Sequence, residues 1–184
     1  GGTFVGYPEG TIINETKDII NVPTEYNEKI VPPVSPERKN FSFAGWEPTV
    51  GIMDSTETKT FNAKWAECYY TVKTYTMNTL GEYEVAETKY PATPGDQIDI
   101  SESLNNAGEG LYGEAGKSDC KGVVKADNSL VLTLYFARNK YRLTFDAGEG
   151  FFTDGKHIKT DLYYHGSVMP DYVPFRIGYN FVKW

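Results

Sequence analysis

Residues 26–46, YNEKIVPPVSPERKNFSFAGW, return later in the chain as YHGSVMPDYVPFRIGYNFVKW, residues 164–184. The two stretches align without a gap at an offset of 138 residues. A repeat at this spacing predicts an array of small modules and not a single catalytic domain. The identical positions are Tyr26, Pro32, Pro36, Arg38, Phe43 and Trp46, which recur as Tyr164, Pro170, Pro174, Arg176, Phe181 and Trp184.

The composition favours strands. Aromatic residues make up 15% of the 184 residues, and 14 of them are tyrosines. Tyr, Thr and Val suit pleated, half-buried surfaces, and the 18 glycines and 10 prolines supply turns. We therefore predict a mainly β protein of small antiparallel or mixed sheets. It has at most short helices, one of them at Ser101–Asn106 with Ser101 as its N-cap.

The charge excludes some classes of partner. The net charge is −7 and the pI is about 4.9, with no basic stripe, so nucleic acid is not an expected partner. No apolar run approaches the roughly 20 residues that span a bilayer, so we expect no membrane insertion in this segment.

Composition and periodicity divide the chain into modules at 1–66, 67–139 and 140–184. In the middle module YYTVKTYTM and YEVAETKY read as two strands of a hairpin, and VVKADNSLVLTLYF as a second hairpin with Asp127 and Asn128 at its tip. Leu130, Leu132, Leu134 and Phe136 alternate and give the last strand a core face. Val131 and Tyr135 make its other face partly apolar, which suggests a central strand or one covered by a neighbouring element. The joints near residues 67 and 139 are short, so we expect a fairly stiff string of modules.

The two repeat copies differ in what flanks them. YRLTFD precedes the Gly-Glu-Gly-Phe turn of the third module, whereas the first module begins at the corresponding Gly1-Gly2-Thr3-Phe4. Conversely, the first module continues after FAGW to KTFNAKW, and the third stops at Trp184. The first module is thus expected to lack its first strand and the third to be truncated, which leaves sheet edges that tend to recruit other chains.

Cys68 and Cys120 are the two cysteines of the chain. A disulfide between them would close a loop of roughly 50 residues and contribute about 4 kcal/mol, in an extracellular setting. Two unrelated thiols are the alternative. Two cysteines are too few for a structural zinc site, which needs about four ligands.

The motifs TFDAGEG…YHG…P…P-R-x-GYNFVKW resemble the Listeria–Bacteroides repeat, also called the internalin B-repeat. GGTF…YNE…P-x-R-x-x-FSFAGWEP…KTFNAKW resembles the same module without its first strand. The middle segment is similar to a mucin-binding-protein-like repeat. Asn40 departs from the pattern, because it stands where Gly178 keeps a glycine, and this leaves open whether the turn before Phe41 is the same.

The resemblance implies small β-grasp-like modules in tandem within secreted or wall-anchored proteins of the bacterial cell surface. It implies stalk, spacer and adhesion roles, with neighbouring repeats and host or matrix proteins or glycans as partners. It brings no catalytic residue, cofactor or metal. Physics gives the repeated aromatic residues a packing role, since a module of about 65 residues needs large apolar side chains to form a core. The core residues that we predict are Phe43, Trp46, Trp65, Phe145, Phe181 and Trp184.

The sequence gives weaker support for a metal site, a catalytic base or an isopeptide cross-link. His157 and His165 read as loop histidines more than as a base or a metal site. Glu109, Glu114 and Asp119 match no calcium-loop spacing, so a solvated acidic loop is favoured. An isopeptide cross-link between Lys73 and Asn139 is a further alternative, for which chance placement is an equal explanation.

The sequence leaves two candidate functions. The first is a non-enzymatic spacer whose modules add weak, multivalent adhesion. The second is direct binding of a host glycan or protein by the loop 108–119, with Tyr112 as the contact, because tyrosine offers a rigid apolar face and a hydroxyl.

Overall fold

A computed structural model describes all residues of the chain, Gly1–Trp184. It contains twelve strands and one 3₁₀ helix, with 41% of residues in strands and 3% in helix. The prediction of a mainly β protein with small sheets is confirmed. No helix is both long enough and apolar enough to cross a membrane.

The first part of the chain forms two hairpins. Strands β1 (Ile12–Ile13) and β2 (Ile20–Asn21) make a short one, and β3 (Phe41–Glu47) pairs antiparallel with β4 (Asn62–Glu67). The β3–β4 register shifts between Phe43 and Gly45, so β3 carries a bulge there. The bulge places Phe43 opposite Trp65 and Trp46 opposite Ala63.

The middle part holds a four-stranded sheet in the order β6-β5-β10-β8 and a separate pair of strands, β7 and β9. The prediction that the Leu132 strand is central is confirmed, because β10 lies between β5 and β8, and Leu132 is fully buried. The strands are β5 (Tyr69–Met77), β6 (Tyr83–Pro91), β7 (Gln97–Asp99), β8 (Leu111–Gly113), β9 (Lys121–Val123) and β10 (Val131–Arg138).

Two predictions for this part are corrected. A turn does form at Asn128, whose φ is 60°, but β9 does not pair with β10 across it. β9 pairs with β7 instead, a partner more distant in sequence. The short helix at Ser101–Asn106 is a 3₁₀ helix whose N-cap is Ile100, without a side-chain cap hydrogen bond.

The last part of the chain is a hairpin of β11 (Lys140–Asp146) and β12 (Ile158–Tyr164). Its antiparallel register is continuous from Lys140 opposite Tyr164 to Asp146 opposite Ile158. Alternation of Tyr141, Leu143 and Phe145 predicts this strand, and Phe145 is its buried residue.

The chain divides into two compact units. Unit 1 comprises Gly1–Lys73, Glu87–Asp99 and Cys120–Leu132, and unit 2 comprises Thr74–Ala86, Ile100–Asp119 and Thr133–Trp184. The strand pairs fall inside the three modules drawn from sequence, with β4 ending one residue beyond position 66. The three-module division itself stays a prediction.

Both units contain buried apolar side chains. In unit 1, Tyr70, Ile98 and Leu130 pack against Cys68, Ala92 and Val124. In unit 2 the buried apolar side chains are Leu134, Ala137, Phe145 and Phe152.

Candidate functional site

The aromatic side chains of the repeat make the same contacts in both units. In unit 1 the Phe4 ring stacks on Trp46 with a centroid distance of 6.1 Å, and Phe43 meets Trp46 at 5.1 Å. In unit 2 the corresponding distances are 6.2 Å for Phe152 and Trp184 and 5.2 Å for Phe181 and Trp184. The repeat in sequence is therefore a repeat of side-chain packing.

The turn before the repeated aromatic residue is also the same. Arg38 lies over the Phe41 ring and Arg176 over the Tyr179 ring, both at 4.0 Å from the centroid. The amide of Phe41 donates to Arg38 O at 3.1 Å, and that of Tyr179 to Arg176 O at 3.2 Å. Asn40 has φ 64° and Gly178 has φ 78°, so the asparagine adopts the left-handed conformation that the glycine adopts.

Two glycines allow close backbone approach at equivalent places. A Cβ on Gly2 would lie 2.8 Å from Glu37 O, and one on Gly150 would lie 2.9 Å from Phe175 O. Adjacent bridges pair Thr3 with Glu37 and Phe151 with Phe175. A side chain at either glycine would push these segments apart, which explains the glycine in both copies.

The six predicted core residues differ in burial. Phe145 is buried, and Phe43, Trp46 and Trp65 are half-buried. Phe181 and Trp184 are 37% and 51% exposed, and Trp184 packs against Phe145 and Phe152; their place in a core stays a prediction. In unit 1, Trp65 on β4 packs against Phe43 at 6.0 Å.

Hydrogen bonds tie the first module to the second within unit 1. The amide of Asn40 donates to Thr93 Oγ1 at 3.0 Å, and the amide of Cys68 donates to Asn40 O at 3.1 Å. Within the second module, next to this joint, Asn128 Nδ2 donates to Glu67 O, at the end of β4, at 3.2 Å. The residue that departs from the repeat pattern, Asn40, therefore lies at this joint.

Arg138 is the centre of the joint between the second and third modules, within unit 2. Its Nε donates to Met77 O at 3.1 Å and its Nη1 donates to His165 O at 3.0 Å. Ser167 Oγ donates to Thr79 O at 3.1 Å. A Cβ added at Gly110 would overlap the His165 ring, so loop and ring are in close contact.

A cluster of tyrosines in unit 2, which we call the tyrosine patch, comprises Tyr75, Tyr83, Tyr112 and Tyr135 with Lys117 and Glu114. Tyr75 stacks on Tyr135 at 4.3 Å, and Tyr83 meets Tyr135 edge-on at 5.4 Å. Lys117 Nζ lies 4.0 Å from the Tyr83 ring centroid. This combination of ring faces, a cation and a carboxylate is suited to weak binding of polar, flat ligands.

Two tyrosine hydroxyls of the patch have raised pKa values. Burial and a hydrogen bond from Tyr83 to the Glu114 carboxylate raise the pKa of Tyr83. Burial also raises the pKa of Tyr135, with Tyr75 adding to the effect. These hydroxyls therefore stay protonated, and can donate hydrogen bonds, throughout the neutral range.

Tyr112 lies on β8 and is 49% exposed, which agrees with the exposure that a contact residue needs. The sequence singles out Tyr112 and its loop but not Tyr75, Tyr83 or Tyr135. Those three come together only because β5 and β10 are neighbours in the sheet and β6 flanks β5. No local sequence pattern predicts this order of strands in the sheet.

The two cysteines are not joined by a disulfide in the structure, and both are buried. Cys68 Sγ donates to Lys125 O at 3.7 Å and packs with Ala92 and Val124. Burial, together with the charge of Asp96, raises the pKa of the Cys68 thiol, so it is a poor nucleophile.

The remaining candidates have ordinary partners. His157 Nδ1 lies 2.5 Å from Gly150 O, and His165 lies at the joint described above. Lys73 pairs with Glu87 at 3.7 Å, and Glu114 is engaged by Tyr83 and Lys117. No group of three or more His, Cys, Asp or Glu side chains is placed to hold a metal ion.

Comparison with family models, with curated proteins and with solved structures found no match to this chain.

Proposed function

We propose that this chain is a non-enzymatic repeat segment of a bacterial cell-surface protein, where it acts as a stalk or spacer and adds weak adhesion. In this role it is secreted or anchored to the cell wall. Its partners are neighbouring repeats of the same protein and host or matrix proteins and glycans. The resemblance of the repeated motif to the Listeria–Bacteroides repeat supplies this setting.

The observation that carries the proposal is the hydrogen-bonded joint on either side of the middle module. A spacer must hold its modules in a fixed relation, because a freely jointed chain spans a distance that grows only with the square root of its length. The bonds of Asn40 to Thr93 and of Arg138 to His165 supply such fixation locally. The net charge of −7 suits a crowded, exposed surface by keeping the protein soluble.

Small-angle X-ray scattering of one, two and three joined copies of the chain tests the spacer. We expect the maximum dimension to rise in proportion to copy number. The matched control places a flexible Gly-Ser linker of about 20 residues between copies, which should weaken that proportionality. Growth with roughly the cube root of copy number, as for a compact globule, would contradict the proposal.

The tyrosine patch favours a second candidate, direct binding of a host glycan or protein. Tyr112 is exposed, and Lys117 and Glu114 offer both charges beside the stacked rings of Tyr75 and Tyr135. Stacking of a sugar or a peptide side chain on such rings gives low affinity per copy, which many copies would raise by avidity.

A glycan and matrix-protein array tests this candidate. We expect signal for the chain, reduced at least roughly fivefold by Tyr112→Ala, a loss on the order of 1 kcal/mol. Tyr7→Ala is the matched control, since Tyr7 is 45% exposed and lies outside the patch. Equal signal for both variants, or none above background, would count against binding through the patch.

A further inference from the structure

Strand β6 (Tyr83–Pro91) is a long edge strand of the four-stranded sheet, and its outer edge has no role in the functions proposed above. β5 is its only neighbour in the sheet, and every residue of β6 after Tyr83 is exposed. The sheet lies at residues 69–138, away from both ends of the chain. A long exposed edge can pair with a further strand, because its outward N–H and C=O groups have no partner within the sheet.

Two contacts within unit 1 establish how β6 pairs with β5. The amide of Ala92, just after β6, donates to Cys68 O at 3.0 Å, and the Tyr90 ring stacks on Tyr70 at 5.4 Å. Both contacts belong to one antiparallel register. In such a pair, residues alternate between bonding to the partner strand and facing away from it. The even-numbered residues of β6 therefore bond to β5, and the odd-numbered residues face outward.

Glu87 and Lys89 are odd-numbered, so their N–H and C=O groups lie at the outer edge. Neither residue is in a backbone hydrogen bond outside the strand pairs. Their side chains reach over β5, where Glu87 pairs with Lys73 at 3.7 Å and Lys89 Nζ donates to Tyr69 Oη at 3.2 Å. The outer edge thus carries an anion and a cation two positions apart, on the same face of the sheet.

We propose that two copies of this chain pair antiparallel through β6, about a two-fold axis at Thr88. This register places Glu87 of each copy opposite Lys89 of the other, and Thr88 opposite itself. Each Glu87–Lys89 pair would exchange two main-chain hydrogen bonds, because both residues face outward. Opposite charges and paired threonines at facing positions stabilise antiparallel strands. This contact goes beyond the spacer role, because it joins separate chains, and its two-fold symmetry closes it at two.

The charges on β6 argue for a second copy as the partner. Facing residues of an antiparallel pair lie on one face of the sheet, so a two-fold axis must fall at a residue. An axis at Glu87 would set two carboxylates opposite each other, and an axis at Lys89 two ammonium groups, and both arrangements are destabilising. An axis at Thr88 alone pairs Glu87 with Lys89. A strand of another protein would need an anion and a cation in this same order, which β6 itself supplies.

Two features oppose the contact and keep it weak. Each copy has a net charge of −7, so two copies repel at low salt, whereas at 0.15 M salt the Debye length of about 8 Å limits this repulsion. Pro91 has no N–H, which restricts full pairing to the residues before it. Because the interface is a strand edge and therefore small, we expect a dissociation constant on the order of 10⁻⁴ M.

Sedimentation velocity of the full chain, from about 10 μM to about 1 mM in 0.15 M salt, tests the proposal. We expect a monomer–dimer equilibrium. Glu87→Lys and Lys89→Glu each set like charges opposite each other and should weaken association at least roughly fivefold. Glu9→Lys is the matched control, because it makes the same change of charge at an exposed residue outside β6, and it should not weaken association.

An equimolar mixture of the two β6 variants tests the register itself. The Glu87→Lys chain has cations at both positions and the Lys89→Glu chain has anions at both, so unlike charges face each other again in the mixed pair. The mixture should therefore associate about as well as the unaltered chain, and so should a chain that carries both changes. Restored association would also show that the variants fold.

Hydrogen exchange of the unaltered chain, measured by NMR, does not depend on any variant. Exchange at the amides of Glu87 and Lys89 should slow as the concentration rises, whereas exchange at Thr88, which already bonds to β5, should not change. Three results would overturn the proposal: no association up to about 1 mM, association that neither single variant weakens, or folded variants that do not associate when mixed. Slowed exchange at another strand, without slowing at β6, would place the contact elsewhere and would overturn it too.

Discussion

At the scale of single residues, the repeat requires a left-handed backbone conformation before its aromatic residue. Gly178 meets the requirement at no steric cost, and Asn40 meets it because asparagine tolerates positive φ better than other side chains. At the joint between the first and second modules, the backbone amide of Asn40 donates to Thr93 Oγ1 and its backbone carbonyl accepts from the amide of Cys68. A departure from the repeat pattern in sequence thus preserves the turn in the structure.

Gly110→Ala should destabilise the chain. Gly110 has φ 70°, and a Cβ there would overlap the His165 ring, so strain and overlap act together. We expect a loss of about 2 kcal/mol or more in the free energy of unfolding, measured by urea denaturation. Gly116→Ala is the matched control, because nothing lies within 4 Å of the added Cβ. An equal effect of both variants would contradict the close contact.

Ionisation of Tyr83 makes the free energy of unfolding depend on pH in the alkaline range. Because burial and Glu114 raise its pKa in the folded state, the stabilisation is complete below the unfolded value of about 10 and is lost as pH rises above it. Tyr83→Phe should therefore reduce the fall in unfolding free energy between about pH 9 and pH 11. Tyr7→Phe, on an exposed tyrosine, is the control and should leave the fall unchanged.

At the scale of elements, strands that alternate clearly in sequence are found where the alternation predicts them. β5, β6, β10 and β11 are examples, because a period of two defines one buried face. The pairing of β9 differs from the prediction. Nothing within VVKADNSLVLTLYF shows that β9 has β7 as partner, since that choice depends on residues about 25 positions upstream.

Phe152 and Phe4 occupy equivalent places but should contribute differently to the free energy of unfolding. Phe152 is 2% exposed and Phe4 is half-buried. We expect Phe152→Ala to cost about 3–5 kcal/mol and Phe4→Ala clearly less, since burial sets the apolar area lost. Denaturation followed by tryptophan fluorescence measures both. A larger loss for Phe4→Ala would contradict the burial that the structure gives these rings.

At the scale of the whole molecule, single side chains join segments that are far apart in sequence. Arg138 satisfies two backbone carbonyls, Met77 O and His165 O, from different modules. Its guanidinium has several donors in a fixed plane, which lets one side chain hold two segments. The sequence predicts stiff joints from their shortness alone and does not single out this arginine.

Arg138→Met should loosen the joint in unit 2. It removes two charge-assisted hydrogen bonds and leaves their carbonyls without this donor, at a cost of about 1.5–3 kcal/mol. Hydrogen exchange should become faster at His165 and Ser167. Arg142→Met, at an exposed position on β11, is the control and should leave the exchange unchanged. If both variants behave alike, Arg138 does not hold the joint.

Local patterns in the sequence are enough for the mainly β class, the repeat and most strand positions, because each of these rests on residues close together in the chain. The pairing of β7 with β9, the tyrosine patch and the hydrogen bonds of Arg138 required the folded structure. Each depends on which segments become neighbours in the fold. Those contacts join residues far apart in sequence, so the alternation of residues within one strand does not predict them.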